Sequence, residues 1–290
     1  MKYVNSFSVA SFFVLALQST FAFGFSFTGI DLRFTGDSNP AKAEFDRDIE
    51  ATNSFSAQLT ANLLSGTLKE SPTLSSGWSI NSVARYALDA DIPELGESFY
   101  GLNVGISRES KTGPGAPFLN FSTGVGYIDS ETDIRDSVLV NLSGSVNFQP
   151  TGFFDTTLGI QHQLREAETE VFDTNKTTFF ATANFAPAAK LVLRTGLRYV
   201  IGNEISSATP TLDIVNTAAV IELDDAFSSS SQNRFAYLID ANSTIAELGA
   251  GFEFTSNLKA NLLYRFVSTS ADGGISYDRN LLEFTISIEL

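Results

Sequence analysis

Cysteine is missing from all 290 residues, which excludes disulfides and thiolate metal sites. Histidine occurs once, leaving little material for general acid–base chemistry near neutral pH. Positive charge is scarce too: 18 Lys and Arg stand against 33 Asp and Glu, a formal net charge of −15. That balance argues against a nucleic-acid partner, because phosphate binding needs a concentrated positive face. No carboxylate spacing matches a defined calcium loop, so no metal and no cofactor is expected.

Long apolar runs are confined to the start of the chain. "MKYVNSFSVASFFVLALQSTFAFG" offers Lys2, an apolar stretch from Phe7 to Leu17, and small residues near Ala22 and Gly24. This pattern reads as a secretory signal peptide over residues 1–22, cut after Ala22 or Gly24. A membrane anchor is the competing reading, but the run falls short of the roughly 20 residues needed to span. No other stretch approaches a transmembrane helix, so any membrane insertion of residues 23–290 must be by strands.

What the chain has instead is alternation. From Leu282 to Leu290 every second residue is apolar: Leu282, Phe284, Ile286, Ile288 and Leu290, with Glu283, Thr285, Ser287 and Glu289 between them. Period two marks a strand, since successive side chains point to opposite faces. The same reading gives about twelve segments: 25–35, 54–64, 77–88, 98–108, 118–128, 137–149, 153–165, 176–186, 190–202, 245–255, 257–268 and 279–290. Each is long enough for a tilted strand to cross a bilayer, and longer than most strands of soluble domains. Tight turns at "QPTG", "APAA" and "TSN" alternate with longer connections at 129–136, 166–175, 203–244 and 269–278. Connections 65–76 and 109–117 are longer than the short-turn side prefers. "AAVIEL" and "RFAYLID" within 203–244 could raise the count to fourteen, although an extended hairpin outside the membrane accounts for them better. Together with the connections 36–53 and 89–97 on the same side, the four long connections hold 25 of the 33 Asp and Glu.

Alternation alone does not say which face is buried. One face carries Val140, Leu193, Leu262, Tyr264 and Phe266; the other carries Asn141, Gln161, Arg194, Arg198 and Arg265. Aromatics gather near both strand ends, where rings would sit at lipid headgroup level. Gly101, Gly124, Gly126, Gly159, Gly196 and Gly249 fall on the polar face, leaving room inside a closed sheet. The first strand switches phase around Gly29, as a bulge would require. On these residues the chain resembles the Gram-negative outer-membrane β-barrels. The resemblance implies an all-β, up-and-down antiparallel transmembrane barrel in the outer membrane, surrounded by outer-membrane lipid. The strand with Leu282, Phe284, Ile286, Ile288 and Leu290 is similar to the signal read by the barrel-assembly machinery, though such signals usually end in Phe or Trp.

A narrow porin for small solutes is the first functional expectation. Arg33, Arg85, Arg165, Arg194, Arg198, Lys259 and Arg265 are expected in the lumen with Asp31, Glu253 and Glu283, while Glu247 and Glu289 sit near strand ends. Lumen charge sets selectivity, so these cations would favour small anionic solutes. They could equally brace neighbouring strands by pairing, as Arg265 with Glu283. A structural or adhesive barrel acting through acidic outer loops is the alternative. An outer-membrane hydrolase is the weakest reading: the resemblance would require Ser two residues after the histidine, or Asp two before, and here His162 has Leu164 and Ile160.

Overall fold

The structure, a computed structural model, describes residues 26–71, 74–110, 115–228 and 233–290. The expected leader and its cleavage point lie outside the described residues, as does part of the 109–117 connection. Twelve strands form one closed antiparallel barrel: β1 (Ser26–Asp37), β2 (Thr52–Ser71), β3 (Leu74–Asp89), β4 (Glu97–Ser110), β5 (Phe118–Ser130), β6 (Ser137–Thr151), β7 (Phe154–Ala167), β8 (Thr174–Ala188), β9 (Leu191–Ala208), β11 (Phe235–Thr255), β12 (Leu258–Ala271) and β13 (Ser276–Glu289). The short β10 (Val220–Leu223) stands outside this ring and pairs only with β11. A six-residue helix, α1 (Leu212–Thr217), precedes it.

Closure is by sequence neighbours everywhere except two seams. β13 pairs with β1 from Gly29↔Glu289 to Asp37↔Leu281, and β9 pairs with β11 across the β10 excursion. Closing the ring leaves no unpaired edge in the barrel wall, and only the short β10 outside it keeps one among the described strands. The phase switch in β1 is a register shift between Phe27 and Gly29 against β2. β2 and β3 run to Ser71 and Leu74, so most of the 65–76 connection is strand, continuing the hairpin beyond the barrel rim.

The apolar face points outward. Val140, Leu193 and Leu262 are 41%, 43% and 49% exposed, and Phe121, Leu197 and Leu248 are exposed as well. The inward face is polar: Asn141 opposes Gln163 and Gly124, Asn184 opposes Arg194, and Glu247 opposes Arg265. A sandwich would bury the first set and expose the second; this barrel does the reverse, as a bilayer solvent demands. No helix among the described residues is long and apolar enough to cross a membrane.

Among the described residues, the additional hairpin that would make fourteen strands is not formed. "RFAYLID" is the beginning of β11 rather than a separate strand, and "AAVIEL" supplies only β10. β9 also continues past its expected end at Gly202 to Ala208, so residues 203–208, β10 and 235–241 make a three-stranded flap at the long-loop end. Gly202 lies at its base with φ of 141°, a conformation that side-chain-bearing residues rarely adopt. A Cβ there would sit 1.9 Å from the Asn175 carbonyl oxygen.

Candidate functional site

The flap stands inside the mouth. One of its faces presents Tyr237, Ile239 and Ala208 to Ala41 and Ala43 of the 38–51 strap, to Ile92 of the β3–β4 loop and to Ile275 of the β12–β13 loop. Its other face packs Ala236 and Leu238 on Val171 and Phe172 of the β7–β8 loop, with Ile134 of the β5–β6 loop alongside. Loops from neighbouring wall strands therefore lie behind the flap and the strap lies in front. Together they fill the opening with apolar side chains, of which Tyr237, Val171 and Phe172 are fully buried.

Buried charges tie these parts together. Arg135 grips both oxygens of Asp224 at 2.7 and 2.8 Å and stacks on Phe172 at 4.4 Å, joining the flap to the β5–β6 loop. Asp224 has no exposure and also accepts from the Ser207 hydroxyl. Arg234 reaches Glu50 at 2.9 Å and Asp48 at 3.7 Å on the strap. Arg279 holds Asp37 beside the closing seam. Each of these pairs is costly to break, because a lone partner would remain buried.

Below this plug lies the polar lumen. Its charged wall is a chain of contacts over five adjacent strands. Arg33 on β1 meets Glu283 on β13 at 3.4 Å, and Glu283 takes Arg265 of β12 at 3.1 Å. Arg265 also donates to Glu247 of β11 at 2.9 Å, and Glu247 accepts from Arg198 of β9 at 3.1 Å. Arg194 approaches the same carboxylate at 4.0 Å and remains 43% exposed. Four guanidinium groups thus share two carboxylates. A cavity of about 660 Å³ runs along this wall from Lys259 to Arg198. A second, of about 510 Å³, runs along the facing wall of Asn103, Ser122, Asn141, Ser143 and Gln161. The two share Asn184, Arg194 and Arg198 as lining.

The residues singled out in the sequence divide into three groups. Arg33, Arg194, Arg198, Arg265 and Glu283 make the ladder just described. Lys259 lies at the short-turn end between Glu253 (3.4 Å) and Glu289. Arg85 and Arg165 lie at the mouth and are tied up there. Arg85 binds Glu97 and faces the Phe99 ring at 5.5 Å; Arg165 donates to the Ser137 hydroxyl and the Arg135 carbonyl, both at 2.8 Å. Glu247 was expected near a strand end, and that placement is corrected. β11 begins at Phe235 rather than Ile245, which brings Glu247 into the ladder as its most buried member at 1% exposure. Its position opposite Arg265 in the register was the signal that could have found it. His162 lies on the outward face, its Nδ1 3.0 Å from the Thr177 hydroxyl, between Leu142 and Thr177 in the register.

No protein-family model matches the sequence, and no curated protein matches it. Solved structures do. An outer membrane channel from Pseudomonas putida F1 aligns over 91% of this chain and 96% of its own, with 10% identity and a TM-score of 0.53. The NanC porin aligns over 90% and 100% with 6% identity and a TM-score of 0.46; the KdgM porin aligns over 90% and 99% with 8% identity and a TM-score of 0.44. At such identities the likeness concerns architecture alone, and on that level the chain has the fold of the outer-membrane β-barrels, closed on twelve strands.

Proposed function

We propose that the chain is an outer-membrane channel for small solutes that favours anions, and that the flap and strap close its outer mouth in the state described here. The ladder carries this reading: four guanidinium groups against two carboxylates, lining a cavity of about 660 Å³ whose other charged lining residues are Lys259, Asp31, Asp155 and Glu253, and facing a wall mostly of amides and hydroxyls. Paired arginines need not be mere braces, since Arg194 is largely free and points toward both cavities. Fixed positive charge along a wet lumen raises the local concentration of anions and repels cations. The reading includes export with a cleaved leader and assembly through the β13 residues Leu282, Phe284, Ile286, Ile288 and Leu290.

Planar-bilayer recording under a salt gradient tests it. Open events should show an anion-selective reversal potential, and an Arg194→Ala/Arg198→Ala variant should move that potential toward zero or past it. Unchanged selectivity in the double variant would overturn the anion path. Absence of current, both in the intact chain and in one shortened between Thr209 and Arg234, would overturn the channel.

A further inference from the structure

One strap residue meets the flap through both its backbone and its side chain. Lys42 is the only non-glycine residue among those described with positive φ, at 54°. Such a backbone persists only where its surroundings hold it. Its carbonyl accepts from the Ser206 hydroxyl, the neighbouring Ala41 carbonyl accepts from the Ser207 amide at 2.7 Å, and its part-buried ammonium pairs with Glu204 of β9. Glu204 also takes Lys176 of β8 at 2.8 Å. Two further groups of β13 face the pair, Arg279 and Tyr277, and Asp37 of β1 accompanies Arg279. One carboxylate therefore compensates two lysines in a neighbourhood that also holds an arginine.

We propose that the mouth is a gate and that the Lys42–Glu204 pair is its latch: neutralising Glu204 leaves the Lys42 charge uncompensated, which releases the strap from the flap and opens the lumen outward. The direction of release follows from what each lysine belongs to. Lys176 is fixed to the wall by the pairing of β8 with β7 and β9, whereas Lys42 sits on an irregular segment. If Glu204 loses its charge, two ammonium groups face each other with no carboxylate between them, beside an Arg279 that Asp37 already balances. The strap is the part that can leave. Burial already pulls the Lys42 ammonium down to about 8, with Lys176 and Arg279 adding to the fall and Glu204 opposing it. Water is the better place for that charge once its partner is gone.

The latch rests on reading the lumen as a solute path, and the test keeps the two apart. Because the chain lacks cysteine, a Thr35→Cys substitution supplies one reporter thiol, in the cavity of about 250 Å³ that Pro40 of the strap and Leu95 cover. Cells carrying it are treated with a bulky, membrane-impermeant maleimide, and heat-modifiable gel migration checks that each variant is folded. Glu204→Gln should raise the labelling rate by about tenfold or more, since a buried charge then lacks its partner. Lys42→Met combined with Glu204→Gln should bring the rate back down, because the unpaired ammonium has gone while the strap's apolar contacts remain. Wild-type labelling in Glu204→Gln overturns the latch. So does fast labelling in the double variant, which would mark general loosening. Faster labelling in Glu204→Gln without added current in bilayers supports the latch and removes the channel reading instead.

Discussion

Replacing Glu247 by Gln removes the carboxylate at the centre of the charged wall while keeping its shape. Arg198 and Arg265 each lose a charged acceptor, at 3.1 and 2.9 Å, and Arg194 loses a neighbour at 4.0 Å. Removing one partner of a fully buried pair costs about 3–5 kcal/mol. Here the arginines retain 26–43% exposure and can turn to water, so a loss of about 1–3 kcal/mol is expected. The electrical effect is separate. The lumen gains one net positive charge, and a unit charge about 7 Å from a passing ion in water contributes about 0.6 kcal/mol. Anions should gain roughly threefold and cations lose roughly threefold, which shifts the permeability ratio by nearly tenfold. Urea unfolding from lipid vesicles reads the first quantity, and the reversal potential reads the second. A variant as stable as the parent, with an unchanged or lower anion preference, would refute the ladder as both brace and filter.

Two more outcomes follow from the mouth. Gly202→Ala should destabilise the protein by about 2 kcal/mol or more, because the left-handed strain adds to a collision with the Asn175 carbonyl; urea unfolding checks this, and faster Thr35→Cys labelling would accompany a displaced flap. Mouth closure should also depend on pH. Burial works to raise the Glu204 carboxyl, but Lys42 and Lys176 together outweigh it and hold it well below the usual range; burial lowers Lys42 from 10.5 to about 8. Both groups therefore carry fewer protons closed than open, so acid favours opening. Closure from Glu204 is complete above about pH 4.5 and declines as the pH falls further, while Lys42 adds to closure as the pH rises from about 8 toward 10.5. Labelling or current that increases with alkali across these windows would contradict the assignment.

The barrel was legible because its strands are wet on one face and oily on the other along their whole length, so period two and the turn signals suffice to place them. Even the Gly29 bulge declared itself through the change from Phe25 and Phe27 to Ile30, Leu32 and Phe34. The plug was not legible, for a physical reason. Its small apolar residues, Ala41, Ala43, Ala208 and Ala236, have no period, and their partners come from loops far apart in the chain. Lys42 and Glu204 are separated by 162 positions, and nothing local announces that they meet. Glu247 falls between these cases: its phase was readable, but its depth depended on where β11 begins. The arginines could be assigned to the inner face; which of them are free and which are occupied by neighbours is a tertiary fact, as Arg165 and Arg194 illustrate.

If the lumen is the solute path proposed above, the unequal distribution of charge around it has a consequence for whatever enters. Guanidinium groups, with the carboxylates of Asp31, Glu247, Glu253 and Glu283 among them, occupy the side made by β1, β13, β12, β11 and β9, while amides, hydroxyls and the carboxylate of Asp155 occupy the side made by β4 to β8. The interior is thereby polarised crosswise, perpendicular to the direction of travel. A dipolar molecule entering it loses rotational freedom and moves with its electron-rich end turned to one side, so two isomers of equal charge and size would traverse at different rates according to where that end is carried.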